Sequence, residues 1–233
     1  MSRRKKTDST VKSETYVLKK IVPITEAQAE VFEEYESNQN LVLMGSPGTG
    51  KTFLAIYLAL KEIFSEKSKF KKVVLTRSIV PTRNIGFLPG NITEKTEVYE
   101  APYKKIVTDL CGRGDAYDIL KKKGVIEFLS TSFCRGLTID DSIVICDEFS
   151  NFSFHELDTI ITRLGDNSKV IFSGDILQSD FTKDSEKNGV EDFLDILEEV
   201  ESFSFIQFEV EDIVRSGLVK EYMLAKHKKG KLC

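Results

Sequence analysis

Six short apolar runs punctuate the chain, and amphipathic or charged stretches separate them. Residues 41–44, 73–76, 125–129, 142–146, 169–172 and 203–208 are rich in Val, Ile, Leu and Phe, and each is bounded by polar or glycine-containing segments. Runs of this length and composition read as strands. Their near-continuous hydrophobicity fits strands covered on both faces. Between them, apolar residues recur at helical spacing. That period predicts a helix opening at Thr25, another directly after residue 52, and one over 94–123 broken near Cys111-Gly112-Arg113-Gly114. It predicts three more over 154–164, 190–200 and 216–226. Strands alternating with helices predict an α/β fold built on a doubly wound, mostly parallel sheet. The first strand, helix and second strand form a right-handed βαβ unit. Ligands in such sheets sit at the carboxyl ends of the strands.

The polar residues at those ends carry the candidate chemistry. The first strand runs into Gly45-Ser46-Pro47-Gly48-Thr49-Gly50-Lys51-Thr52, a G-x-x-x-x-G-K-T sequence between a strand and an amphipathic segment. Glycines let the backbone wrap closely around a phosphate. Successive N–H groups at a helix N-terminus form an anion nest. Lys51 can reach the β- and γ-phosphates, and the Thr52 hydroxyl can hold Mg²⁺. A glycine-rich turn that only joined strand to helix would have no use for Lys-Thr at these offsets.

The strand over 142–146 ends in Asp147-Glu148. A carboxylate there can complete a Mg²⁺ site with Thr52, and its neighbour can activate the attacking water. Glu148 therefore points to water rather than a small-molecule hydroxyl as phosphoryl acceptor, which sets a P-loop kinase below a hydrolase. The strand over 169–172 leads to Gly174-Asp175 and then Gln178, either a turn or a sensor of the γ-phosphate. Arg215 is placed to stabilise the transferred phosphoryl group. Arg163 is a rival, read as a surface helix arginine or as one acting across a subunit boundary. Gln28 has two readings: a capping-box partner for Thr25, or an amide that reads the adenine edge.

Composition narrows the class further. At 233 residues with 41% hydrophobic and 30% charged positions, the chain suits one globular domain. No apolar run is long enough to span a bilayer. The basic N-terminus, Met1-Ser2-Arg3-Arg4-Lys5-Lys6, has no apolar stretch after it, so no secretory signal is read. Four scattered cysteines (Cys111, Cys134, Cys146 and Cys233) form no zinc or disulfide pattern, and a reduced cytoplasmic chain is expected. Net charge is −4, yet residues 1–12 and 220–233 carry +4 each, leaving −12 between them. Such tails are solvated termini or contacts for a phosphate backbone. The expected organisation is a basic tail over 1–15, an ATPase body over 16–226 and a basic tail over 227–233.

Together these stretches resemble the PhoH family of P-loop ATPases, itself similar to the first RecA-like domain of superfamily 1 helicases. The likeness runs over about residues 22–222. It rests on the loop at 45–52, Leu75-Thr76-Arg77, the Gly86-Phe87-Leu88-Pro89-Gly90 loop and Phe133-Cys134-Arg135-Gly136. Ile145-Cys146-Asp147-Glu148, Gly174-Asp175 with Gln178, and Asp212-Ile213-Val214-Arg215 complete it. Leu137 stands where the family usually has a second arginine, and Phe149-Ser150 replaces its usual Ala-Gln. The resemblance implies a RecA-like fold, ATP hydrolysis with Mg²⁺, a ring-like homo-oligomer such as a hexamer, and a role on RNA. It implies that Gln28 reads adenine and that Arg215 meets the γ-phosphate. Two functions stay open: a motor stimulated by single-stranded RNA or DNA, with Arg77, Arg83, Phe87 and Arg135 on the strand, or a non-translocating ATP-dependent switch.

Overall fold

The computed structural model describes residues 17–78, 92–131, 136–176 and 184–229. Among them, six strands form one sheet: β1 (Asn40–Gly45), β2 (Lys72–Arg77), β3 (Ile126–Ser130), β4 (Ser142–Asp147), β5 (Lys169–Ser173) and β6 (Phe203–Phe208). Their spatial order is β3-β2-β4-β5-β1-β6, and all five pairings are parallel. The sheet expected to be mostly parallel is therefore wholly parallel among the described residues. Each of the six apolar runs became one of its strands.

Among the described residues, seven α-helices accompany the sheet: α1 (Glu26–Glu36), α2 (Lys51–Ile63), α3 (Ile92–Cys111), α4 (Ala116–Lys122), α5 (Phe154–Arg163), α6 (Asp184–Glu198) and α7 (Gly217–Lys228). The break expected near residues 111–114 separates α3 from α4. Alternate residues of each strand face opposite layers. Leu41, Leu43, Val73, Leu75, Ile143, Ile145 and Ile171 pack against α1 to α4. Val42, Val74, Val144, Cys146, Val170 and Phe172 pack against α5 and α6. From β1 the chain moves through β2 to the β3 edge with its helices on the first face. From β4 it moves through β5 to β6 with its helices on the second. Opposite directions on opposite faces give these helical crossovers the same hand, and the chain turns back at the β3 edge.

Register then aligns the site. Across the sheet, Ser130 pairs with Arg77, Arg77 with Asp147, Asp147 with Ser173, and Ser173 with Leu43. Arg77, Asp147 and Ser173 each lie two residues beyond a side chain of the first layer. The period of two thus turns all three toward α2 and α3. Helix α5 is held at its start by a reciprocal cap: Ser153 Oγ accepts from the Glu156 N–H, and Glu156 Oε2 accepts from the Ser153 N–H at 2.8 Å. That helix runs back down the second face, so Arg163 at its end lies at the amino edge of the sheet, where its carbonyl accepts from the Ile139 N–H.

The same amino edge buries a lysine. Lys169 opens β5 at 4% exposure. Its ammonium donates to the Tyr35 carbonyl at 3.1 Å and lies 4.0 Å from the centre of the Tyr35 ring. Burial pulls its pKa down to about 8, against the attraction of Glu62. The unfolded lysine titrates near 10.4, so between pH 8 and 10 the unfolded chain holds more protons and stability rises with pH. Denaturation midpoints at pH 7.5 and 9.5 check this. The wild-type chain is expected to gain on the order of 1 kcal/mol over that interval relative to Lys169→Met. Equal gains in both chains would mean the ammonium is not desolvated.

Candidate functional site

The 45–52 loop leaves β1 at a point that only glycine tolerates. Gly45 has φ +111°, and a Cβ on it would lie 2.0 Å from the Phe208 carbonyl oxygen at the end of β6. That oxygen accepts from the Ser46 N–H at 3.0 Å. Gly48 and Gly50 also have positive φ, and Gly50 starts α2 with no side-chain cap. The helix therefore offers its first N–H groups and the positive end of its dipole to the loop. Thr49, fully buried, closes the loop by donating to the Ser46 carbonyl at 3.0 Å.

Two other segments grip this loop. Gln28 on α1 donates through Nε2 to the Thr49 carbonyl at 3.1 Å, and its Oε1 accepts from the Ile24 N–H at 3.1 Å. The capping box expected at Thr25 is thus only half made. Thr25 Oγ1 accepts from the Gln28 N–H, but the glutamine amide is spent on Ile24 and the loop instead of the cap. From the far side, the Val214 N–H donates to the Gly48 carbonyl at 3.1 Å. The Arg215 side chain crosses Gly48, its Cγ 2.9 Å from where a Cβ would stand.

The acidic pair faces the start of α2. Thr52 Oγ1 donates to Asp147 Oδ1 at 2.6 Å and lies 3.4 Å from Ser173 Oγ. Lys51 Nζ is held by the Gly45 and Ser46 carbonyls at 2.7 Å each. Burial lowers the Lys51 pKa, while Asp175, Glu148 and Asp147 pull the other way. Glu148 has a left-handed backbone, φ 54° and ψ 44°. A glutamate there stores about 1–3 kcal/mol of strain, a cost that clusters at functional positions. Burial first, and Asp147 second, push its carboxyl above the ordinary range, against the pull of Arg77 and Lys51. Asp175 is buried just beyond β5. Gly174 before it lets the chain pass close to Phe149, whose ring a Cβ would meet at 2.9 Å.

Sequence reasoning missed two contributors. Ser173 lies in the same register row as Asp147. Tyr103 on α3 donates to Asp147 Oδ2 at 2.8 Å. Its only sequence signal is its place with Val107 and Leu110 on one apolar face, which reads as core. Arg77 stands half-buried beside Tyr103, Asp147 and Glu148, inside the site. Arg163 is at the opposite edge of the sheet. Gln178, Arg83, Phe87 and Arg135 lie outside the described residues.

A family model described as "PhoH-like protein" matches residues 20–226. The chain belongs to the PhoH family. It is 34% identical to a PhoH-like protein of Bacillus subtilis over 207 residues, covering 88% of this chain and 64% of that protein. It is 31% identical to protein PhoH of Escherichia coli, covering 88% of this chain and 58% of that one. The chain therefore spans roughly three-fifths of the length of these relatives. Among solved structures, it resembles the large terminase of a thermophilic bacteriophage with a TM-score of 0.54 and 14% identity. That likeness covers 86% of this chain and 50% of the terminase chain and speaks for the fold. Family, fold and loop geometry together make this a nucleotide-binding P-loop NTPase domain. Among the described residues, no helix is long and apolar enough to cross a membrane.

The close approaches in the loop make graded predictions. Gly45→Ala drives a methyl into backbone at a φ that alanine rarely adopts, so it is expected to cost at least about 3 kcal/mol. Gly48→Ala meets only the flexible Arg215 side chain and is expected to cost about 1 kcal/mol. Urea denaturation of both variants checks the order. Equal losses would mean that β6 does not abut the loop as described.

Proposed function

We propose that this chain binds ATP with Mg²⁺ and hydrolyses the γ-phosphate. The observation that carries this reading is the 2.6 Å bond from Thr52 to Asp147, with Glu148 strained and raised in pKa beside it. The donors gathered there are hard oxygens: the Thr52 hydroxyl, the Asp147 carboxylate and the Ser173 hydroxyl. Such a set suits Mg²⁺, which takes one or two protein oxygens and completes its shell with phosphate and water. Thr52 and Asp147 would hold the ion, and when bound it would neutralise charge on the phosphates. The N–H groups of 45–52 cradle the phosphate chain, with Asp175 beside them. Lys51 and Arg215, both held against the loop by this chain itself, stabilise negative charge as it develops. Glu148 accepts the proton of the attacking water. Gln178 senses the γ-phosphate, and Gln28, pressed on the loop at Thr49, lies toward the adenine.

The body of this ATPase is residues 16–226, flanked by basic tails. We further propose that it assembles as a ring with other copies of itself and that single-stranded RNA or DNA is its track. Arg83, Phe87 and Arg135 would meet the strand. Arg77 is turned into the site and would link that surface to the acidic pair.

Glu148→Gln is expected to bind ATP while hydrolysing it at least about tenfold more slowly. The wild-type rate is expected to fall with acid at a pH above the ordinary carboxylate titration near 4.3, because a raised pKa protonates the base sooner. The variant lacks that limb. Turnover near the wild-type level in Glu148→Gln would remove Glu148 from the mechanism. Single-stranded RNA at low salt, where phosphate contacts are strongest, is expected to raise the ATPase rate. A rate indifferent to RNA and to single-stranded DNA would leave a nucleotide switch in place of a motor.

A further inference from the structure

We propose that Tyr103 is a positioning residue for the metal-binding carboxylate: its hydroxyl fixes Asp147 in the orientation that Mg²⁺ requires. The inference rests on the ATPase reading above, since that reading assigns Asp147 to the ion.

Asp147 has two carboxylate oxygens, and each has its own donor. Thr52 Oγ1 meets Oδ1 at 2.6 Å, and the Tyr103 hydroxyl meets Oδ2 at 2.8 Å. The two donors come from different helices, α2 and α3, and hold the carboxylate plane between them. Tyr103 is fully buried, and its ring packs on Phe128 with centroids 6.0 Å apart. Packing alone would be served by phenylalanine, because a buried hydroxyl costs free energy unless it is bonded. The partners that satisfy this hydroxyl are Asp147 and the Arg77 guanidinium. Both belong to the site, so the polar atom of Tyr103 has no purpose elsewhere in the core. Replacing a group that orients a metal ligand from behind typically costs about 10–100-fold in metal affinity.

Tyr117 provides an internal comparison. It too is a buried tyrosine in the layer of α3 and α4, and its hydroxyl donates to Glu100 at 2.6 Å, away from Asp147. A tyrosine that matters only for packing should behave like Tyr117.

The test is binding of a fluorescent, non-hydrolysable ATP analogue to the full chain, titrated with Mg²⁺. Tyr103→Phe is expected to raise the Mg²⁺ concentration for half-maximal binding about tenfold, with metal-free binding unchanged. Tyr117→Phe is expected to lower the thermal midpoint and leave the Mg²⁺ requirement unchanged. A wild-type response to Mg²⁺ that Tyr103→Phe reproduces would overturn the inference and leave the ATPase reading standing. A wild-type chain that ignores Mg²⁺ altogether would overturn both. Should Tyr103→Phe fail to fold, the wild-type protein decides through fluorotyrosine labelling. With seven tyrosines in the chain, one buried resonance is expected to move when Mg²⁺ joins the bound analogue. No such movement sinks the proposal.

Discussion

The hydrogen bond between Thr52 and Asp147 ties together two parts of the chain that are 95 residues apart. It crosses from the first turn of α2 to the last residue of β4, and β5 lies between the strands that lead to each. The bond exists only because the parallel register sets Asp147 level with Ser173, and Ser173 level with Leu43, two residues before the loop begins. A one-residue slip of β4 would turn Asp147 toward α5 and α6, since alternate side chains face opposite layers. The apolar residues of β4 oppose that slip, because Ile143 and Ile145 belong to one layer and Val144 and Cys146 to the other. Packing of the strand thus fixes the direction of its terminal carboxylate.

The loop itself is defined by backbone more than by side chains. Phe208 accepts from the Ser46 N–H, Val214 donates to Gly48, and Gln28 donates to Thr49. Three segments distant in sequence therefore share its polar groups. Such sharing is costly to rearrange, above all at the buried Gln28 and Thr49, whose donor and acceptor would be left unpaired. The loop is held by α1, the end of β6 and the segment at 214–215, and Arg215 reaches it as part of the same contact that pins Val214.

How far this was legible in the sequence depends on distance along the chain. The strands were readable because a parallel sheet buried on both faces needs continuous apolar runs. The loop was readable because its chemistry is local: glycines, a lysine and a threonine at fixed offsets. Asp147-Glu148 became readable through its place at a strand end. Tyr103 was not readable, since a tyrosine on the buried face of a helix reads as packing. What distinguishes it is a partner 44 residues away on another element. Gln28 shows the same limit in another form. The helix cap accounted for one of its bonds, and the bond to Thr49, 21 residues on, required the fold.

Two buried lysines show how placement turns one chemistry into two roles. Lys51 and Lys169 are both desolvated, and burial lowers the pKa of each. At the amino edge, Lys169 is drawn up chiefly by Glu62, opposed by Lys69, and it settles near 8. At the carboxyl edge, Lys51 feels Asp175, Glu148 and Asp147 together. Those three acids stand at or just past the ends of β4 and β5, and the register places them around one ammonium. They oppose the fall in the Lys51 pKa that burial causes, and the lysine in turn restrains the Glu148 carboxyl from rising further. The carboxyl and the ammonium therefore act on each other's protonation, and a change in one shifts the other.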